Sequence, residues 1–310
     1  MSELDQDHKG FYKKGNTFVT LGEEIELFEE LPKGIYSLMQ DHRTGQMFFK
    51  KTQITSDKII DLPSPEFSKV VNEMKKFLSP ETKSLFNKYG YLYKRSTLLF
   101  GKPGTGKTCI INRVAEEVIK NDGIVLFDPA PEILLNAFNV FRDLQKDRPI
   151  LVIYEELDTW LEDDEKPLLS ILDGETQMPN MMYLATTNFI EKIPDRVKRP
   201  GRFSTVIEVD FPNLEARLTY LKHKLGEEND SLVNQIAELT KGFSIDELKE
   251  TVLATICLGQ DTNEVVDKIK KVKGLVYEVV NEDGNKSKGW NWDVSRAFEE
   301  AEEELDDAKI

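Results

Sequence analysis

Gly101-Lys-Pro-Gly-Thr-Gly-Lys-Thr108 satisfies the phosphate-binding pattern G-x-x-x-x-G-K-[ST] at every required position. Its flanks have the order the pattern needs. Ser96-Thr-Leu-Leu-Phe100 reads as a short buried strand, and the run from Cys109 to Lys120 places apolar residues at helical spacing. Glycines at 101, 104 and 106 let the backbone turn tightly and bring its N–H groups up to phosphate oxygens. The start of the following helix adds partial positive charge at the same place. Lys107 has the reach for β and γ phosphates, and the Thr108 hydroxyl suits Mg2+. The nucleotide-binding candidates are therefore Gly101, Lys102, Pro103, Gly104, Thr105, Gly106, Lys107, Thr108 and Cys109. A glycine-rich turn without a ligand is the bland alternative, and the segments downstream weigh against it.

The chain around this loop has 310 residues, enough for about two domains. With 39% hydrophobic and 31% charged residues the composition is that of a water-soluble globular protein. No apolar run approaches the ~18 residues of a membrane helix, and the polar start Met1-Ser-Glu-Leu-Asp-Gln-Asp7 is no secretory signal. The expectation is a cytoplasmic protein without a membrane partner. Two cysteines, Cys109 and Cys257, lie far apart and suggest no disulfide scaffold. Three scattered histidines argue against a histidine metal site. A net charge of −15 opposes non-specific nucleic-acid binding, which draws its affinity from neutralised phosphates.

Pro149-Ile-Leu-Val-Ile-Tyr-Glu-Glu-Leu-Asp158 is a continuous apolar run ending in carboxylates, as expected of a strand buried on both faces of a parallel sheet. With the phosphate loop (Walker A), this run resembles the second nucleotide-site strand (Walker B) of the AAA+ ATPases: four hydrophobics, Asp-Glu, an aliphatic and Asp. Aligned on Pro149 and Leu157-Asp158, the resemblance puts Glu155 at the place of the Mg2+-organising Asp and Glu156 at that of the Glu polarising the attacking water. Glu155 departs from the family by one methylene, and Mg2+ demands near-ideal octahedral geometry, so slow hydrolysis or a bridging water stays open. A frame shifted by one residue, with Tyr154 at the Asp place and Glu155 catalytic, is the alternative.

Leu168-Leu-Ser-Ile-Leu-Asp-Gly174 and Met181-Met-Tyr-Leu-Ala-Thr-Thr-Asn188 resemble the family's next helix and strand, which makes Asn188 the candidate for the γ-phosphate-sensing polar residue called sensor 1. Ile193-Pro-Asp-Arg-Val-Lys-Arg-Pro-Gly-Arg-Phe203 contains Arg-Pro-Gly-Arg-Phe, close to a signature of the classical-clade AAA ATPases. The resemblance implies that Arg199 and Arg202 are arginine fingers entering a neighbouring copy's site. It thereby implies a homo-oligomer, a hexameric ring in most of this clade, with ATP and Mg2+ as ligands. A planar, permanently charged guanidinium suits charge developing on a transferred phosphoryl group. The rival reading of this basic cluster is a nucleic-acid patch. Gly242-Phe-Ser-Ile-Asp-Glu-Leu248 resembles the clade's lid sequence, whose helix start borders the adenine. Ser244 and Glu247 also form a capping box, and Ile245-Asp246 depart from the clade's small residues, leaving an adenine contact open.

Four segments follow: a β-rich N-terminal module (1–62), an α/β ATPase core (63–212), a helical lid (213–280), and a loop with an acidic helix (281–310). The N-terminal segment includes a hairpin turning at Asp41 to Gly45 and is either a substrate-contacting module or a solvated decoration. The final helix, from Val294, either docks through its apolar face or is a solvated terminus. The expected fold is α/β: a P-loop NTPase with a five-stranded parallel sheet sandwiched by helices. Between the second and third strands no aromatic-hydrophobic-glycine triplet occurs, so a polypeptide-gripping pore loop reads as deleted; Trp160 either substitutes for it or packs. The function that follows is an ATP-hydrolysing, ring-forming remodeller of proteins or protein assemblies with an unknown protein client. A nucleic-acid motor or loader, and a nucleotide-gated scaffold with little hydrolysis, are the alternatives.

Overall fold

The computed structural model describes residues 10–14, 17–21, 30–41, 43–52, 60–145, 147–161, 165–173, 178–226, 229–277, 279–280 and 286–287. The expected acidic helix from Val294, with Trp290 and Trp292 before it, lies outside the described residues. Strands β1 (Gly10–Lys14) and β2 (Thr17–Leu21) pair with each other in a separate antiparallel ladder. The chain continues through β3 (Gly34–Gln40), β4 (Met47–Thr52), α1 (Pro65–Phe77), α2 (Pro80–Lys88), β5 (Lys94–Phe100) and α3 (Lys107–Lys120). Then come β6 (Ile124–Phe127), α4 (Pro131–Leu144), β7 (Ile150–Tyr154), the single turn α5 (Leu157–Trp160), α6 (Lys166–Asp173), β8 (Met181–Thr187) and β9 (Thr205–Glu208).

Seven of these strands make one sheet, in the spatial order β4-β3-β6-β7-β8-β5-β9, parallel throughout except for β4. The sequence pattern explains why it is covered on both sides. Successive side chains of a strand point to opposite faces, and here both members of each pair are apolar. Leu98, Val152 and Tyr183 enter one core with α4 and α6, while Leu99, Ile153 and Leu184 enter the other with α1 and α3. At about 1.5–3 kcal/mol per fully buried large apolar side chain, these two layers are what hold the phosphate loop in place.

The sheet has seven strands where the sequence pattern suggests five. The difference is the hairpin β3–β4: Gly34, Ile35 and Tyr36 pair with Ile124, Val125 and Leu126 of β6, and Tyr36, Leu38 and Phe49 join the core beneath α4. Tyr36 and Phe49 meet edge to face with centroids 6.5 Å apart. This part of the N-terminal segment is thus continuous with the core sheet. The turn falls where the sequence places it, with Asp41 Oδ1 accepting from the N–H groups of Arg43 and Thr44. Between β6 and β7 stands α4, whose Leu134, Ala137, Phe138 and Phe141 pack into the core; the described residues of this connection carry no projecting aromatic loop.

After β9 a helical unit follows: α7 (Leu214–Leu225), α8 (Asp230–Leu239), α9 (Ile245–Val252), a π-helical turn (Leu253–Cys257) and α10 (Thr262–Tyr277). Asn213 caps α7 by accepting from the Ala216 N–H, and Ser244 with Glu247 closes a reciprocal capping box on α9. The unit has its own core, built on Tyr220, Leu221, Ile236, Phe243 and Leu248, against which Ile60 and Leu62 also pack. Two short strands, β10 (Val279–Val280) and β11 (Lys286–Ser287), pair beyond it. No helix among the described residues is long and apolar enough to cross a membrane.

Candidate functional site

The phosphate loop connects the end of β5 to the start of α3. Gly101 is a glycine for lack of room: a Cβ there would stand 2.2 Å from the Val209 carbonyl oxygen. Gly106, at φ 101°, is the N-cap of α3, and no side chain caps that helix end. The first N–H groups of a 14-residue helix are therefore left facing a cavity of about 640 Å3. Gly104, Gly106, Lys107, Thr108 and Cys109 line it on one side, and Glu155, Glu156 and Asn188, at the carboxyl ends of β7 and β8, on the other. Ligands of open α/β sheets bind at such strand ends.

Lys107 donates to the carbonyls of Gly101 (2.7 Å) and Lys102 (2.8 Å). Burial lowers its amino group to about 8, and the nearby Asp246, Glu155 and Glu156 oppose that shift without cancelling it. The Thr108 hydroxyl donates to Glu155 Oε1 at 2.8 Å. Glu156 occupies the left-handed region at φ 48°, unusual for a residue with a Cβ. Two acceptors hold it there: Asp128 Oδ1 takes the Glu155 N–H at 2.9 Å, and Thr186 Oγ1 takes the Glu156 N–H at 3.3 Å. Burial pushes Asp128 up to about 6, although the N–H groups of Glu155 and of the Trp160 indole favour its charged form.

Tyr154 is fully buried in the core with its ring against Trp160, centroids 5.7 Å apart. It does not line the cavity, whereas Glu155 and Glu156 both do. In the frame anchored on Pro149 and Leu157-Asp158 both assigned residues line the cavity; in the shifted frame Glu155 does and Tyr154 does not. Trp160 packs on Tyr154 and lines the cavity.

A second cavity of about 260 Å3 lies on the other side of the phosphate loop, with Gly106 and Cys109 lining both. Its walls come from Ile60, Leu62, Glu66 and Phe67, on the approach to and first turn of α1, and from Val209, Asp210, Phe211 and Ala216, between β9 and the first turn of α7. Phe211 is flanked by two ammonium groups, Lys102 at 5.1 Å and Lys273 at 4.3 Å from its ring centroid. The start of α9 faces the first cavity: the Ile245 N–H donates to the Gly104 carbonyl at 2.8 Å, and Ile245 and Asp246 line that cavity.

Sequence reasoning missed Asp128, Thr186 and the wall of the second cavity. Asp128 carried a usable signal, a carboxylate directly after a short apolar run. The segments 60–67 and 209–216 carry none, because their residues converge only in space.

Arg199 and Arg202 stand apart from both cavities. Arg199 is exposed. Arg202 is partly buried, its Nε donating to Asp173 Oδ2 at 3.2 Å and its Nη1 to the Arg196 carbonyl at 2.7 Å.

The residues present fit a nucleoside triphosphate with Mg2+: an uncapped helix start, a loop crowded at Gly101 and Gly104 but open at Gly106, and a lysine meet one hydroxyl–carboxylate pair. No group of three or more His, Cys, Asp or Glu side chains able to hold a metal occurs among the described residues. A Mg2+ ion here would rely on Thr108, Glu155 and phosphate oxygens, the sparse protein ligation usual for this ion.

Residues 97–211 match the family described as "ATPase family associated with various cellular activities (AAA)". The chain is 29% identical over 181 residues to the Cell division cycle protein 48 homolog of Archaeoglobus fulgidus, covering 51% of this chain and 24% of that protein. It is 31% identical over 195 residues to the Proteasome-activating nucleotidase of Aeropyrum pernix, covering 54% of this chain and 47% of that one. With the Proteasome-activating nucleotidase of Sulfurisphaera tokodaii it shares 24% identity over 267 residues, 76% of this chain and 68% of that one. In the first two of these the match spans less than half of the relative's own length.

Proposed function

We propose, from the match of residues 97–211 to the AAA ATPase family, that this protein hydrolyses ATP with Mg2+ at sites completed by a neighbouring copy, and uses the turnover to remodel a protein or a protein assembly. The observation that carries the reading is a division within one chain. A cavity of about 640 Å3 gathers the loop, Lys107, Thr108, Glu155, Glu156 and Asn188, while the exposed Arg199 lies outside it.

In this reading the N–H groups at the start of α3 and Lys107 hold the β and γ phosphates, and the base enters the second cavity between Leu62 and Phe211. Thr108 and Glu155 would hold Mg2+, which when bound neutralises charge on the phosphate oxygens. Glu156, fixed at the cavity wall by the Asp128 and Thr186 acceptors on its turn, orients a water for in-line attack on the γ phosphorus. As the water oxygen bonds to phosphorus, the bond to the β–γ bridging oxygen breaks, and ADP and phosphate leave. Asn188 reports on the γ phosphate. The loop around Arg199, reaching across from the next copy, stabilises charge on the transferred group. Similarity to relatives named proteasome-activating nucleotidases and a net charge of −15 favour a protein client over nucleic acid.

Mixing two inactive variants tests the shared site. Lys107→Ala keeps its arginines and loses its cradle; Arg199→Ala keeps the cradle and loses the arginine. Head-to-tail assembly at random gives about one quarter of the sites an intact half from each. An equal mixture is therefore expected to recover about a quarter of wild-type turnover per protomer. No recovery at concentrations where the wild type turns over would overturn the reading.

A further inference from the structure

The sequence presents Arg199 and Arg202 as equivalent residues of one turn, and the structure treats them differently. No hydrogen bond or ion pair to the Arg199 guanidinium occurs among the described residues, and the side chain is exposed. Arg202 is tied into its own chain, with only 21% of its side chain accessible. Its Nε meets Asp173 Oδ2, its Nη1 the Arg196 carbonyl, and its backbone N–H the Arg199 carbonyl at 3.0 Å. From these contacts we infer that Arg199 alone of the pair enters the neighbour's site, and that Arg202, clamped by Asp173, is a positioning residue. The inference rests on the shared-site reading above.

Helix α6 acts as the splint. Leu168, Ile171 and Leu172 fix it in the core. Just before its start, Glu165 pairs with Arg196; at its last residue, Asp173 pairs with Arg202. An acidic side chain at a helix C-terminus lies against the negative end of the helix dipole, so Asp173 is misplaced for its helix and well placed for a cation. Lys94 fastens the same turn from the sheet, donating to the Gly201 carbonyl at 3.1 Å. Phe203 is fully buried with its N–H on the Val197 carbonyl. The turn is pinned at 196, 201, 202 and 203, and what it presents outward is Arg199. A guanidinium already neutralised by a carboxylate adds little charge to a phosphoryl group; a free one adds a full unit.

The test is a double-mutant cycle on turnover per protomer at saturating ATP, with ADP affinity of each variant as the second readout. Arg199→Ala is expected to lower kcat by about 10³-fold or more, as removal of such an arginine does. Arg202→Ala and Asp173→Ala are each expected to lower it by about 10²-fold or less, the scale of a small misplacement. The double variant is expected to be no worse than either single one, and Arg202→Lys, which keeps the ion pair, to regain part of the loss. ADP affinity, a property of the untouched cradle, stays within about twofold in all of them. The inference is overturned if Asp173→Ala leaves kcat unchanged or raises it, or if Arg202→Ala and Asp173→Ala multiply in the double variant. Asp173 is 45% accessible, so its alanine variant carries the test even where Arg202→Ala fails to fold. If Arg199→Ala itself turns over normally, the shared-site reading has failed, whatever Asp173 does.

Discussion

Thr108 and Glu155 meet across the cavity, hydroxyl to carboxylate at 2.8 Å, joining the start of α3 to the end of β7. The longer side chain of glutamate spans this gap. Glu155→Gln keeps the acceptor oxygen and removes the charge that a divalent cation needs. The variant is expected to bind ATP in EDTA as the wild type does, and to lose at least about tenfold, or 1.4 kcal/mol, of the affinity gained on adding Mg2+. Titration calorimetry with and without the ion decides it, and an unchanged Mg2+ increment would remove Glu155 from the ion's surroundings.

Lys107 makes the phosphate cradle sensitive to alkali. Burial lowers its amino group from 10.5 to about 8, so above pH 8 the folded, ligand-free protein sheds that charge. Affinity for ADP in EDTA is expected to fall as pH rises through 8, approaching tenfold per unit, and the step is absent in Lys107→Met. For this residue alone, folding stability moves the other way. Between pH 8 and 10.5 the unfolded chain holds the proton more tightly, so stability rises with pH across that window.

The second cavity recognises the base in this reading, without contact to the phosphates. Leu62→Ala is expected to weaken ADP binding by roughly tenfold, the worth of part of a buried leucine, and to leave tripolyphosphate binding unchanged. Equal losses for both ligands would place the base elsewhere.

Gly101 lies too close to the strand end for any side chain. In Gly101→Ala the new Cβ, 2.2 Å from the Val209 carbonyl oxygen, forces β9 and the phosphate loop apart. Overpacking of this kind costs about 1–3 kcal/mol, and in a chain of this size each kcal/mol lowers Tm by about 2–4 °C. Differential scanning fluorimetry is expected to show the loss without any nucleotide present.

What the sequence disclosed is what is local. Gly101 to Thr108, and the apolar run into Glu155 and Glu156, carry their chemistry at fixed spacing, so loop, flanking strand and helix could be read in order. The hairpin turn at Asp41 was equally plain; its attachment to β6 was not, because pairing of Gly34 with Ile124 joins residues ninety apart and leaves no mark on either segment. The same holds for the walls around Leu62 and Phe211. Arg199 and Arg202 show the limit most directly: two identical side chains three residues apart differ because Asp173 and the Arg196 carbonyl stand beside one of them.

The link from Ile245 N–H to the Gly104 carbonyl consists of main-chain atoms. Exchanging side chains leaves both donor and acceptor standing, and only a proline at 245 would delete the donor. The helical bundle after β9 is thus hooked to the loop by a tooth that ordinary substitution does not wear away, on a helix whose Leu248 sits in the bundle's interior. Drift in the outer faces of that bundle would leave this joint intact.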